Sequence, residues 1–181
     1  QIKTPLAALR MYNEIIQNEQ TGNSVVDNFS LKTEREISRI ELLILNLLKL
    51  ARLDAGSIQL EMSEQKVKGF LEDVVKGFST RAKMEGKELI LSCDEHIAMN
   101  FDPEWLMEAI GNIIKNALDH TGPQNKIEVS CSETPVSVQI TIKDNGAGIH
   151  PEDIHHIFKR FYRSRFSKEK QGIGIGLALS K

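Results

Sequence analysis

The chain has 181 residues, enough for one medium domain or a small pair, and its 40% apolar and 27% charged residues are ordinary for a globular protein. A formal net charge of −2 gives no electrostatic case for nucleic acid or an anionic membrane as partner. The longest strongly apolar run, Leu42 to Leu48, contains Asn46 and is far too short to span a bilayer, and no signal peptide is visible at a start that itself reads as internal.

The first stretch is helical, with Leu6, Leu9, Asn13 and Ile16 recurring at three- and four-residue steps and Pro5 in the first turn, where a missing N–H costs little. Thr21-Gly22-Asn23-Ser24 reads as a turn. A second helix is predicted from about Val25 to Asp54, with a coiled-coil-like seam of Val26, Ser30, Thr33, Ile37, Ile40, Ile44, Leu47 and Ala51. Leu43, Leu50 and Leu53 widen its apolar face, so a dimeric four-helix bundle is the economical way to bury it; a hairpin packed on the second domain is the alternative. Ala55-Gly56-Ser57 ends that helix and the pattern turns to mixed α and β.

Ile58 to Met62 alternates like a short strand. Val67 to about Met84 reads as a helix stopped by Gly86. Leu89 to Cys93 and Ile97 to Phe101 read as strands. Asp102 and Pro103 are an N-cap and first-turn proline for a helix that turns Trp105, Leu106, Ala109, Ile110, Ile113, Ile114 and Ala117 inward. Lys126 to Cys131 and Val136 to Ile142 read as a hairpin. Cys93 and Cys131 sit in separate strands with no second cysteine nearby in sequence, so two free thiols are expected and nothing in the sequence supports a bridge.

Four motifs carry chemistry. Asn112 and Asn116 share one face of their helix, with Lys115 and His120 beside them; amide oxygens are hard, neutral ligands suited to magnesium. Asp144 follows an apolar strand, where its carboxylate can accept from the exocyclic amine of adenine, and Gly146 and Gly148, before Ile149, let the backbone pass close to a base. Phe158, Phe161, Tyr162 and Arg163 form an aromatic-basic cluster, followed by Lys168 and Lys170, that reads as a lid, with Arg163 or a lysine reaching a terminal phosphate; an amphipathic helix with a solvated loop is the bland alternative. Gly172, Gly174 and Gly176, before Leu177, open an apolar helix and can cradle phosphates through backbone N–H groups; the polar stretch before them, in place of an apolar strand, argues against a Rossmann fingerprint. Each motif alone is weak, but their order and spacing are not.

In that order they strongly resemble the bacterial sensor histidine kinases. Asn112 to Thr121 resembles the family's asparagine box, Asp144 to Ile149 its first glycine box, Phe158 to Arg163 its phenylalanine box and Gly172 to Leu177 its second glycine box. The resemblance implies an antiparallel helical hairpin over residues 1–56, half of a dimeric four-helix bundle for dimerisation and histidine phosphotransfer. A linker with a short strand follows over 57–66, then a two-layer α/β sandwich of the Bergerat ATP-binding type over 67–181, incomplete at Lys181. It further implies ATP and Mg²⁺ as cofactors, Asn116 and Asn112 at the metal and Asp144 at adenine. Lys115, His120, Gly146, Gly148, Ile149, Phe158 and the second glycine loop complete the nucleotide site. Implied partners are a second copy through residues 1–54 and a response-regulator receiver domain. The setting implied is the cytoplasmic domain of a membrane-anchored bacterial sensor, touching the membrane only through a sensor region outside this chain.

The family's phosphoacceptor motif is His, an acidic residue, two others, Thr or Asn, then Pro. Thr4 and Pro5 match, Gln1 takes the acidic place, and the histidine would be the residue immediately before Gln1. Thr4 would orient water for dephosphorylating the regulator, and a glutamine cannot act as a general base near neutral pH. Two other readings stay open at this point: a Bergerat-type ATPase, and a regulator phosphatase or docking module without kinase activity.

Overall fold

A computed structural model describes residues 3–18, 24–165 and 174–180. The chain divides into two units, Gln1–Ile58 and Gln59–Lys181.

The first unit is a pair of helices, α1 (Lys3–Asn18) and α2 (Ser24–Asp54); the expected turn at 21–23 lies outside the described residues. Leu6, Ile37 and Leu50 are buried. At the centre of the contact is a polar lock. Asn13 Nδ2 donates to the Ser30 carbonyl at 2.8 Å, and Ser30 Oγ donates to Asn13 Oδ1 at 2.6 Å, so this buried pair is mutually satisfied. Arg10 continues the lock, donating to Glu34 at 2.9 Å and to Ser38 at 3.0 Å. The predicted seam is only partly used: Ser30 and Ile37 are buried, but Ile40 and Leu47 remain 42% and 53% exposed. α2 ends in a Schellman motif: Gly56, at φ +58°, donates to Leu53 O while Ser57 N–H donates to Arg52 O.

The second unit runs β1 (Ser63–Lys66), α3 (Val67–Met84), β2 (Glu88–Ser92), β3 (Ala98–Phe101), α4 (Pro103–His120), β4 (Lys126–Thr134), β5 (Ser137–Asp144) and α5 (Gly176–Leu179). The strands form a two-stranded antiparallel ribbon, β1-β3, and a three-stranded sheet in the order β2-β4-β5. β2 and β4 are parallel, β4 and β5 antiparallel. α3 and α4 pack on each other and on one face of the larger sheet, giving a two-layer α/β arrangement. Leu71, Ile114, Leu118, Ile127 and Val129 fill the layer between them.

Local signals place several ends as expected. Asp102 Oδ1 accepts from Glu104 N–H at 3.0 Å and Trp105 N–H at 3.1 Å, with Pro103 at the first helical position of α4. Gly86, at φ +66°, and Lys87 close α3 through bonds to Lys83 O and Ala82 O.

Two expectations need correction. Ile58 to Met62 is not a strand; β1 is the polar tetrapeptide Ser63–Lys66. Its pairing with β3 (Ser63 opposite Phe101) and the bond from Glu61 N–H to Asp102 Oδ2 at 2.8 Å place it, rather than any apolar alternation. The cysteines are not free thiols either: Cys93 and Cys131 form a disulfide, with Cα atoms 4.9 Å apart. The register explains it. β2 and β4 pair in parallel with Glu88 opposite Lys126 and Ser92 opposite Ser130, so the next pair is Cys93 and Cys131, 38 residues apart. Distance in sequence concealed a neighbour in the sheet.

Candidate functional site

The site is built along α4. Its inner face is apolar because Ile110, Ile114, Ala117 and Leu118 are buried against the sheet and α3. Asn112 and Asn116, four residues apart, are half-buried on a different face. Asn112 Nδ2 is buried without a hydrogen-bond partner among the described residues. Gly176, the first residue of α5, lies against this carboxamide, so close that a Cβ on it would stand 3.2 Å from Asn112 Oδ1. α5 is tied down beside it, with Ser180 Oγ donating to Ala109 O at 3.1 Å.

The far end of α4 meets the first glycine loop. Asp144 is the last residue of β5, paired with Ile127, and its carboxylate is exposed. Its Oδ1 accepts from Gly146 N–H at 2.9 Å. A Cβ on Gly146 would lie 2.9 Å from the His120 carbonyl oxygen and 3.0 Å from Thr121 Cγ2, so only glycine lets this loop sit against the helix end. Asn145 clamps the loop to β4: its Oδ1 accepts from Lys126 N–H at 2.7 Å, and its N–H donates to Lys126 O. Gly148 has φ +74° and open space around it.

The aromatic segment Phe158–Arg163 follows consecutive turns over 151–157 and is itself turn, bend and irregular backbone, not the regular amphipathic helix that was the alternative. Sequence reading missed its anchor, Asp153. This buried carboxylate accepts from Tyr162 Oη at 2.5 Å, and the hydroxyls of Ser164 and Tyr162 hold it below the usual carboxylate range. The same contact raises the Tyr162 phenol. Pro151-Glu152-Asp153 does carry a turn-start signal, but nothing in it reveals a tyrosine nine residues on. Gly174, at φ +72°, packs on the Phe161–Tyr162 backbone. The second glycine loop therefore contacts both the aromatic segment, through Gly174, and α4, through Gly176.

The remaining candidates are placed less tellingly. Lys115 Nζ is 2.9 Å from Asp119 Oδ2, and Asp119 also receives Arg81 at 2.6 Å. His120 and Arg163 are exposed, as are Ile149 (51%) and Phe158 (45%), and Leu177 is half-buried. Thr4 lies in α1, and Gly172 lies outside the described residues.

The geometry fits an elongated anionic ligand. A carboxamide whose buried N–H₂ has no partner among the described residues lies at one end, tight against Gly176, and an exposed carboxylate beside a tight backbone loop lies at the other. About 12 Å of helix separates Asn112 from His120, by the helical rise.

Comparison with known proteins agrees with this layout. Residues 1–56 match the His Kinase A (phospho-acceptor) domain, and residues 101–181 match the family of histidine kinase-, DNA gyrase B- and HSP90-like ATPases. The sensor histidine kinase YvrG of Bacillus subtilis is 28% identical over 99% of this chain, and the sensor protein kinase PmrB of Pseudomonas aeruginosa is 29% identical over all of it. The chain spans only 32% and 38% of those proteins. Full-length ShkA, solved in complex with AMPPNP, superposes with a TM-score of 0.82 at 22% identity, over 98% of this chain and 37% of that one. The histidine kinase AdeS of Acinetobacter baumannii superposes with a TM-score of 0.68 at 22% identity, over 99% of this chain and 82% of that one. A helical phospho-acceptor unit followed by an α/β unit of the ATPase family is a histidine kinase core. The chain belongs to the sensor histidine kinases of two-component systems.

Proposed function

We propose that the second unit binds Mg-ATP along α4 and that the γ-phosphoryl group goes first to a histidine immediately before Gln1, then to an aspartate of a response-regulator receiver domain. The observation that carries this reading is the Asn112 carboxamide, buried without a partner among the described residues and pressed against Gly176. A buried amide of this kind calls for completion by a ligand, an ion or an ordered water.

Asp144 accepts from the exocyclic amine of adenine, beside a backbone that Gly146 and Gly148 keep free of side chains. Asn112 and Asn116 offer amide oxygens to Mg²⁺ and an N–H₂ to phosphate oxygens. The backbone N–H groups around Gly174 and Gly176 would hold the phosphates, together with Gly172, which lies outside the described residues. His120, Ile149, Phe158 and Leu177 border the nucleotide, and Lys115, balanced by Asp119, sets the charge beside it. Arg163 on the aromatic segment neutralises charge on the transferring group. Bound Mg-ATP supplies the phosphoryl donor and its charge compensation, so the chain's own task is positioning and electrostatics. Because Gln1 cannot take a proton near neutral pH, the attack relies on that positioning or on another base. Thr4 orients water for hydrolysis of the phosphoryl group on the regulator, which releases inorganic phosphate.

Dimerisation through residues 1–54 is supported by the apolar side chains the hairpin leaves exposed, among them Leu9, Ile16, Phe29, Leu45 and Leu48. No helix among the described residues is long and apolar enough to cross a membrane. Any attachment of this cytoplasmic core to a membrane runs through a sensor region outside the chain.

Calorimetric titration of the chain with ATP in magnesium tests the site. Saturable binding that Asp144→Asn abolishes, with the melting temperature unchanged, is expected. Equal affinity in the variant would remove Asp144 from the site, and no binding by the parent chain would favour the docking-module reading.

A further inference from the structure

The pair Cys93–Cys131 belongs to neither the nucleotide site nor the helical hairpin. We propose that it is a reversible thiol–disulfide exchange site, exchanging with low-molecular-weight disulfides, in which Cys93 is the attacking thiol and Cys131 the resolving one. This inference is independent of the nucleotide reading.

Three observations carry it. First, the parallel register of β2 and β4 holds the two residues side by side whether or not they are bonded, with Cα atoms 4.9 Å apart, inside the range a disulfide needs. The pair can therefore close and open without rearranging the sheet.

Second, both residues are reachable. They end the helix-facing rows Leu89-Leu91-Cys93 and Ile127-Val129-Cys131, at the margin of the core, where Leu89 and Leu91 are only half-buried and Cys93 and Cys131 likewise. Each opens on its own cleft: Cys93 on one of about 570 Å³, Cys131 on one of about 530 Å³.

Third, the clefts differ in charge. Lys76 lines the Cys93 side with Glu72 and with Lys68, which is paired to Glu95 at 2.7 Å, while Asp94 and Glu133, with His96, line the Cys131 side. The Cys93 side is therefore the less negative of the two, and the less negative surroundings favour the thiolate, so Cys93 is the better nucleophile.

The chemistry balances. The Cys93 thiolate attacks one sulfur of a small disulfide RSSR, forming a mixed disulfide and releasing RS⁻. The Cys131 thiolate then attacks Cys93 Sγ, closing the protein bridge and releasing the second RS⁻. Two protein thiols are oxidised, and one RSSR is reduced to two thiols, which take up the two protons. The consequence is mechanical. β2 is an edge strand whose partner in the sheet is β4, and the bridge adds a covalent tie across that pair. Asp144 pairs with Ile127, at the other end of β4, so exchange leaves the nucleotide residues in place.

The test equilibrates the full chain in graded ratios of reduced to oxidised glutathione, quenches with acid, alkylates and weighs the products. The proposal predicts one transition between a two-thiol form and a bridged form within that range. It also predicts a melting temperature lower by roughly 10 °C in the reduced form, a difference that Cys93→Ser removes. With oxidised glutathione, Cys131→Ser should carry the adduct on Cys93 faster than Cys93→Ser carries it on Cys131. A bridge that persists at the fully reducing end, or thiols that stay free at the fully oxidising end, would overturn the exchange site. The opposite order of adduct formation would overturn the assignment of the attacking thiol.

Discussion

Gly174 rests directly on the backbone of Tyr162: a Cβ placed on it would lie 2.5 Å from the Tyr162 carbonyl oxygen, and its φ is +72°. The second glycine loop is thus fitted to the aromatic segment, which is also tied by the bond from Tyr162 Oη to Asp153. Gly148 has nearly the same φ, +74°, with nothing within 4 Å of its added Cβ. The two glycines separate strain from collision.

Gly148→Ala should cost about 1 kcal/mol of backbone strain, and Gly174→Ala about 1–3 kcal/mol because the clash adds to the strain. Since 1.4 kcal/mol is tenfold in affinity, ATP binding should weaken about ten- to a hundredfold in Gly174→Ala and tenfold or less in Gly148→Ala. Calorimetry on both variants checks the order; equal losses would mean that contact with Tyr162 is irrelevant.

Two buried asparagine amides make opposite predictions. Asn13 is fully engaged with Ser30, so Asn13→Ala strands the Ser30 groups and should destabilise the hairpin by about 1–3 kcal/mol. Asn112 Nδ2 has no partner among the described residues, so Asn112→Ala should leave the melting temperature nearly unchanged and instead lower ATP affinity at least tenfold. Thermal melts beside ATP titrations separate the two. A large stability loss in Asn112→Ala would make that residue structural.

Acid should weaken the second unit partly through Asp102. The backbone N–H groups of Trp105, Glu61 and Glu104 hold its carboxyl below the ordinary carboxylate range. A depressed folded-state pKa contributes stability that is fully present above the unfolded value, about 4, and is lost as the pH falls through the folded value. Asp102→Asn keeps an acceptor for the α4 cap but turns an N–H₂ toward Glu61 N–H. It should melt lower at pH 7 yet lose less on acidification from pH 5 to pH 2. An unchanged acid slope in the variant would remove Asp102 as a source of the acid sensitivity.

The sequence carried the elements whose ends are set locally. Asp102-Pro103 and Gly86 are self-contained signals, and the four boxes on and after α4 could be read because each is contiguous. What it hid depends on residues meeting from elsewhere. β1 has no apolar alternation, because Ser63–Lys66 is positioned by pairing with β3. The Cys93–Cys131 neighbourhood follows from a parallel register across an intervening strand and helix. Likewise Asp153 with Tyr162, and Gly176 with Asn112, are legible only once the chain has folded back on itself.

In the proposed reaction this core phosphorylates a histidine at the head of the first helix. The direct measurement incubates the chain, carrying its natural upstream residues, with γ-labelled ATP and magnesium, and follows protein-bound label through acid and alkali. The account predicts label that is acid-labile and alkali-stable and that disappears when the residue before Gln1 is replaced. ATP binding with no protein-bound label would contradict the kinase assignment and point to an ATPase or a regulator phosphatase.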